Sequence, residues 1–197
     1  MEAFLVSAGI VALGEMGDKT QLLALLLAAR FQKPWPIVLG ILGATLLNHS
    51  CAGLAGVWLG DRLTGPAMRW VVGLSFLAVA AWACLPDRLE SGRDARFAGR
   101  GAFVATLISF FLVEIGDKTQ VATVALAARF GVLAPVVAGT TLGMLLADAP
   151  VVWLGDTAAA RLPMRWIRLA AAASFALLGL GLLLGTCRGG PGHGPPA

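Results

Sequence analysis

A charged motif occurs twice in this chain, and each copy lies inside an otherwise apolar stretch. Residues 14–21 read G-E-M-G-D-K-T-Q, and residues 113–120 read V-E-I-G-D-K-T-Q. The copies are 99 residues apart, and eleven of seventeen positions are identical between 15–31 and 114–130. Ionisable groups at membrane depth are costly and usually mark an ion or proton pathway. A costly cluster that a duplicated chain carries twice predicts one shared site between two repeats.

The composition is that of a membrane protein. Of the 197 residues, 58% are hydrophobic and 13% are charged, whereas soluble domains carry about 25% charged residues. The net charge is only +4, and the basic residues cluster between apolar stretches, where they set membrane topology. We therefore predict contact with membrane lipid and no nucleic-acid partner. The three cysteines, Cys51, Cys84 and Cys187, are widely spaced and form no metal or redox motif.

Six apolar stretches are long enough to cross a bilayer, which requires about 20 mainly apolar residues. The predicted spans are 3–29, 35–59, 67–86, 101–128, 132–155 and 164–186. The sequence thus predicts an all-α integral membrane protein with six transmembrane helices in two three-helix repeats, residues 1–86 and 101–187. A loop at 87–100 connects the repeats, and the tail at 188–197, rich in glycine and proline, is predicted to be disordered.

An odd number of spans in each half determines the predicted topology. After three spans the chain is on the other side of the membrane, so the second half enters upside down relative to the first. This is the inverted-topology repeat of many secondary transporters. The loops on the side of the 87–100 connection carry nine Lys and Arg residues, and the termini and other loops carry four. Because basic loops stay in the cytoplasm, both termini are predicted to lie outside.

The two motifs supply four carboxylates, those of Glu15, Asp18, Glu114 and Asp117. In each copy the two acidic residues are three apart, which places them on one face of a continuous helix. Inversion of the second half would bring the two pairs together. Four facing carboxylates repel one another unless cations or protons neutralise them. That is the chemistry of an exchanger in which a metal ion and protons compete for the same oxygens.

The ligand types of the motifs indicate a hard cation. Oxygen-rich sites suit Ca²⁺, Mn²⁺ and Mg²⁺, and neither motif contains Cys or His, which argues against a dedicated zinc or copper site. Neutral oxygens that support the cation are expected from the polar residues that follow each acidic pair, Thr20, Gln21, Thr119 and Gln120.

Two lysines, Lys19 and Lys118, also belong to the motifs. Each lies four residues after a glutamate, which allows an ion pair within one helix. The motif is therefore open to a second interpretation, as a self-neutralised pair that only locks helices together. Such a pair needs only Glu and Lys and would leave both aspartates as surplus charge. We favour the interpretation that the lysines are tethering cations and not metal ligands.

One further pair of titratable residues occupies equivalent places in the two halves. His49 aligns with Asp148 at the same offset of 99 residues. Titratable groups inside a membrane often relay protons, so we predict that role for both residues. The alternative for His49 is a packed, hydrogen-bonded side chain without a role in transport.

The doubled motif also resembles that of a known family. Two copies of E-x-G-D-[K/R]-[S/T], each in the first helix of a three-helix half, are similar to those of the small cation/proton exchangers of bacterial membranes, chloroplasts and the Golgi. The resemblance covers about residues 3–186, and both copies are complete. It implies a secondary transporter, not an enzyme, that needs no cofactor and exchanges Ca²⁺ or Mn²⁺ for protons. The four acidic residues would bind the ion.

The resemblance implies, most specifically, a manganese exporter of the bacterial inner membrane. Two other functions remain open on the sequence alone: an exporter of an amino acid or other small organic solute, and an intramembrane metal-dependent enzyme. The enzyme would need a nucleophile or a clamp for a leaving group, and the sequence shows no such constellation outside the repeats. The sequence decides neither between Mn²⁺ and Ca²⁺ nor between a monomer and a homodimer.

Overall fold

The apolar stretches of the sequence form α-helices. A computed structural model of the chain describes residues 1–63, 65–85, 101–154 and 164–185. The helices of this part are α1 (Glu2–Glu15), α2 (Lys19–Phe31), α3 (Pro34–Arg62), α4 (Gly65–Ala83), α5 (Ala102–Glu114), α6 (Lys118–Phe130), α7 (Leu133–Leu154) and α8 (Met164–Leu183). No strand occurs among the described residues, and the all-α prediction is confirmed. The predicted loop at 87–100, the predicted tail at 188–197 and Cys187 lie outside them.

Four of the described helices, α3, α4, α7 and α8, are long and apolar enough to cross a membrane. The two other predicted spans, 3–29 and 101–128, are each divided into two shorter helices, α1–α2 and α5–α6. The prediction of one continuous helix through each motif is therefore wrong. A helix of 14 residues is about 21 Å long, which is less than the hydrocarbon thickness of about 30 Å. Only a tandem pair has the length of one span.

The helices have an apolar outer surface and a polar interior, as membrane proteins do. Large apolar side chains are exposed along their outer surfaces, among them Leu39, Leu46, Leu54, Trp58, Leu74, Leu146 and Leu177. Charged side chains of both motifs are buried between the helices. Extensive exposed apolar surface is rare in soluble monomers, and intramembrane charges face the interior of a helix bundle. The helices thus present an apolar surface to lipid and enclose a polar centre.

The first helix of each half packs against the other half. Helix α1 packs mainly along α7, and α5 packs mainly along α3. Helices α3 and α7 also contact each other, as do α4 and α8. These contacts recur between counterpart helices of the two halves, whereas the contacts of α4 with α6 and of α1 with α8 have no counterpart of similar extent among the described residues.

The reciprocity extends to single atoms at two helix crossings. A Cβ atom added to Gly40 of α3 would lie 2.7 Å from Cβ of Thr106 on α5. A Cβ atom added to Gly139 of α7 would lie 3.0 Å from Cβ of Ser7 on α1, and would also meet the carbonyl oxygen of Phe4. Gly139 and Thr106 are the counterparts of Gly40 and Ser7 at the 99-residue offset. Glycine therefore allows the same close helix approach in both halves.

We expect Gly139→Ala to destabilise the protein, because its new methyl group would meet the backbone of α1. Overpacking of this kind costs about 1–3 kcal/mol. The matched control is Gly9→Ala on α1, where an added Cβ meets nothing within 4 Å, and where alanine favours the helix by up to about 1 kcal/mol. Thermal unfolding in detergent measures both variants. Equal unfolding temperatures for the two would contradict the close contact between α1 and α7.

Candidate metal centre

The first motif folds as a tight turn that ends α1. The N–H of Asp18 donates to the carbonyl oxygen of Glu15 at 3.0 Å. Between them, Met16 has φ −61° and ψ 118°, and Gly17 has φ 80°. These are the angles of a type II β-turn, whose third residue needs a positive φ and is therefore usually glycine. The glycine of the motif thus breaks the helix between the two acidic residues.

The second motif has the same turn at the end of α5. The N–H of Asp117 donates to the carbonyl oxygen of Glu114 at 3.1 Å. Ile115 has φ −59° and ψ 120°, and Gly116 has φ 77°. The two acidic residues of each motif are therefore brought close by a turn. The prediction that they share one face of a continuous helix is wrong, because the helix ends between them.

The glutamines of the motifs stabilise these turns. The N–H of Gly17 donates to Oε1 of Gln21 at 2.9 Å, and the N–H of Gly116 donates to Oε1 of Gln120 at 2.8 Å. Nε2 of Gln21 also donates to the carbonyl oxygen of Ala147 on α7, at 2.8 Å. The amide oxygens, predicted above as supporting cation ligands, thus accept hydrogen bonds from the backbone of the turns.

Each aspartate occupies the N-cap of the helix that follows its turn. Asp18 caps α2, where its Oδ1 accepts a hydrogen bond from the N–H of Lys19 at 2.7 Å. Asp117 is the N-cap residue of α6. Aspartate is among the preferred residues at this position, and its charge complements the positive end of the helix dipole. The motif therefore places a glutamate at the end of one helix and an aspartate at the start of the next.

Both lysines form ion pairs that cross between the motifs. Nζ of Lys19 lies 2.7 Å from Oδ1 of Asp117, and Nζ of Lys118 lies 2.8 Å from Oδ2 of Asp18. These two pairs are counterparts at the 99-residue offset. The predicted pairing along one helix depends on a continuous helix, and the helix ends before each lysine. Each lysine instead brings a positive charge to an aspartate of the other half.

The glutamates carry the surplus negative charge, not the aspartates. Within the two motifs, four carboxylates and two lysines leave two negative charges, and the ion pairs assign the lysines to the aspartates. Glu15 and Glu114 are both fully buried. Within the described part of the chain, Oε1 of Glu15 and both carboxylate oxygens of Glu114 have no hydrogen-bond donor. One divalent cation, or two protons, would neutralise this surplus.

Three of the four predicted ligands come together. Carboxylate oxygens of Glu15, Glu114 and Asp117 all lie within 4.8 Å of one another. Ligands about 2.1–2.5 Å from one ion are themselves about 3–5 Å apart, so these oxygens have a spacing that suits a shared cation. Asp18, the fourth predicted ligand, is not part of this group and pairs with Lys118. We call Glu15, Glu114 and Asp117 the carboxylate cluster.

The motif threonines hold carboxylates of the cluster. Oγ1 of Thr20 donates to Oε2 of Glu15 at 2.6 Å, and Oγ1 of Thr119 donates to Oδ2 of Asp117 at 3.2 Å. Equivalent threonines thus orient a glutamate in one half and an aspartate in the other. This difference makes the centre asymmetric although its backbone is nearly symmetric.

His49 on α3 and Asp148 on α7 also reach the centre. Nε2 of His49 lies 3.8 Å from Oε2 of Glu114, and Asp148 is close enough to Glu15 for the two carboxylates to interact electrostatically. Both side chains are fully buried. The ring nitrogens of His49 have no hydrogen-bond partner among the described residues. The structure therefore brings both residues to the cluster, while the proton relay stays a prediction.

Asn48, the neighbour of His49, has an anchoring role that its sequence context does not reveal. Its Nδ2 donates to the carbonyl oxygen of Phe111 in the last turn of α5, at 3.1 Å. This contact fixes α3 against α5 three residues before Glu114. The only signal in the sequence is an amide in an apolar stretch, and that signal does not identify the partner.

Comparison with known proteins agrees with this geometry. Two segments, residues 3–91 and 102–189, match the family model described as divalent cation/proton antiporter GDT1. A Vibrio cholerae protein named "Putative manganese exporter" is 47% identical over 181 residues, which cover 91% of this chain and 90% of that protein. A GDT1-like protein of Synechocystis sp. is 29% identical over 168 residues, or 75% of this chain and 82% of the relative.

A more distant relative comes from a plant. GDT1-like protein 3 of Oryza sativa subsp. indica is 29% identical over 193 residues, which cover 84% of this chain and 68% of the relative. No solved structure matches the chain at a significant level. The matched segments include both motifs and nearly all of the described residues. The chain therefore belongs to the GDT1 family of divalent cation/proton antiporters, which are transporters and not enzymes, and which carry the metal ion as a substrate and not as a cofactor.

Proposed function

We propose that this protein exports Mn²⁺ from the cytoplasm of a bacterium across its inner membrane, in exchange for protons. The observation that carries the proposal is the carboxylate cluster, which is buried between the two halves and has two surplus negative charges. The name of the Vibrio cholerae relative supports manganese and the outward direction. Ca²⁺ is the other candidate ion, because it accepts the same carboxylate oxygens.

We further propose that the chain crosses the membrane six times as two inverted repeats, residues 1–86 and 101–187. In this arrangement α1–α2 and α5–α6 each form one interrupted span. The reciprocal contacts between the halves support it, because an inverted repeat has a twofold axis in the membrane plane. The connection at 87–100 would be cytoplasmic and both termini outside.

The proposed cycle follows from the cost of unneutralised charge in the membrane. A divalent cation binds Glu15, Glu114 and Asp117, and leaves on the other side after the repeats have moved relative to each other. The two surplus charges cannot remain unneutralised in a medium of low dielectric constant. Protons therefore bind the glutamates before the site returns. His49 and Asp148 are buried beside the glutamates, where residues that pass protons would have to lie.

Proton movement in proteoliposomes tests the proposal. We expect Mn²⁺, added to vesicles with a pH-sensitive dye inside, to drive a proton flux in the opposite direction, and Ca²⁺ to drive a slower one. Vesicles without protein serve as the control, and an amino-acid mixture tests the organic-solute alternative. If folded protein gave no proton movement with either ion, the proposal would be wrong. A flux driven only by the organic solutes would support the alternative.

A further inference from the structure

His49 brings a nitrogen donor to a centre otherwise made of oxygens. Its Nε2 lies 3.8 Å from Oε2 of Glu114, and its side chain is fully buried. Neither ring nitrogen has a hydrogen-bond partner within the described part of the chain. A histidine that only packs in the interior normally has its nitrogens hydrogen-bonded, because a buried polar group without a partner is costly. The environment of His49 is therefore that of a side chain that receives a ligand.

The distance between His49 and Glu114 suits a shared metal ion. Two ligands of one divalent cation lie about 3–5 Å apart when each is about 2.1–2.5 Å from the ion. The 3.8 Å between Nε2 and Oε2 falls within this range. Both oxygens of Glu114 are without a hydrogen-bond donor among the described residues. His49 is not part of the group whose ligand atoms all lie within 4.8 Å of one another, so an ion bound to the cluster through Glu114 reaches the imidazole after a small shift of these side chains.

The other half has a carboxylate at the equivalent place. Asp148 is the counterpart of His49 at the 99-residue offset, and it is likewise fully buried. The equivalent positions thus carry a carboxylate in one half and an imidazole in the other. This difference matters for selectivity, because Ca²⁺ and Mg²⁺ take oxygen ligands, whereas imidazole suits ions such as Fe²⁺ and Zn²⁺ best and Mn²⁺ less strongly.

We propose that His49 is a ligand of the transported ion and that it restricts the substrate to first-row transition-metal ions, in preference to Ca²⁺ and Mg²⁺. This inference rests on the proposed exchange of a divalent cation for protons. Mn²⁺ accepts both carboxylate and imidazole, so it is a substrate of such a mixed site. Fe²⁺, Co²⁺ and Zn²⁺ should compete with Mn²⁺ more effectively than Ca²⁺ and Mg²⁺ do.

Pulsed electron paramagnetic resonance of bound Mn²⁺ tests the ligand directly. We expect wild-type protein in detergent to show the ¹⁴N modulation of a coordinated imidazole, and His49→Gln to lose it while Mn²⁺ stays bound. The matched control is Thr45→Val, one helical turn earlier on α3, where a buried hydroxyl also has no hydrogen-bond partner among the described residues. This variant should keep the modulation. Mn²⁺ bound to wild-type protein without nitrogen modulation would overturn the proposal, even if His49→Gln does not fold.

Transport selectivity gives the second readout. In proteoliposomes, His49→Gln should raise KM for Mn²⁺ about tenfold or more and change KM for Ca²⁺ less than about twofold. An equal change for both ions, or none for either, would overturn the role of His49. The outcome for wild-type protein separates the two proposals. If wild type exchanges neither ion, the proposed function fails, whereas exchange with unchanged selectivity in His49→Gln contradicts only the assignment of His49.

Discussion

Glu15→Gln and Glu114→Gln are each expected to reduce Mn²⁺-driven proton movement by about 100-fold or more, while the protein still inserts into the membrane. Each variant removes one of the two negative charges of the motifs that the lysines do not neutralise. It also replaces an anionic ligand with a neutral amide. The remaining single charge is a poorer match for a divalent cation. The same substitution also removes the carboxylate that a proton must occupy on the return step.

The matched control for the glutamates is Glu2→Gln, at the exposed start of α1. It makes the same chemical change outside the cluster and should leave proton movement within about twofold of wild type. Amounts of folded protein, measured by size-exclusion chromatography in detergent, must be similar for all three variants. Retained exchange in both Glu15→Gln and Glu114→Gln would show that the ion binds elsewhere in the centre.

Lys118→Met is expected to destabilise the protein by about 3–5 kcal/mol, because it leaves the carboxylate of Asp18 buried without its lysine. The side chain of Lys118 is 5% exposed and that of Asp18 is fully buried, so water cannot replace the lost charge. Lys19→Met should cost less, because the side chain of Lys19 is 19% exposed. Thermal unfolding in detergent measures the two variants side by side.

A double-mutant cycle separates the ion pair from other effects of the lysine. Asparagine is as good an N-cap as aspartate, so Asp18→Asn keeps the cap of α2 and removes only the charge. The double variant Asp18→Asn/Lys118→Met should therefore be more stable than Lys118→Met alone. Additive losses in the two single variants would mean that the pair is not coupled, and that Lys118 is not the tethering cation that we propose.

The sequence predicts the helices of this protein better than it predicts the contacts between them. The duplication, the all-α fold and the burial of acidic residues follow from periodic apolar stretches with charges inside them. Each motif also carries a sequence signal for the end of the helix within it, because glycine before aspartate is a common signal for a type II turn followed by an N-cap. A strong apolar pattern on both sides hides that signal, because it also predicts one uninterrupted helix.

Partners in the other half cannot be assigned from spacing along the chain. Lys19 has a glutamate four residues before it, and that proximity suggests the wrong pair, whereas its partner Asp117 lies 98 residues later. The prediction against a dedicated zinc or copper site considers only the residues of the motifs. His49 comes from a different helix and reaches the centre only through the packing of α3 against α5. The 99-residue offset identifies equivalent positions but not the contacts between them.

The crossed ion pairs also bear on how the protein is made. Asp18 is synthesised 100 residues before Lys118. With α1–α2 as the first span, as we propose, this aspartate enters the bilayer before its neutralising lysine exists. Asp18 then lacks its ion-pair partner until α6, which carries Lys118, has been inserted. A chain truncated between the two halves never contains Lys118. In such a truncated product, Asp18 is a charge at membrane depth without its ion-pair partner, which is costly.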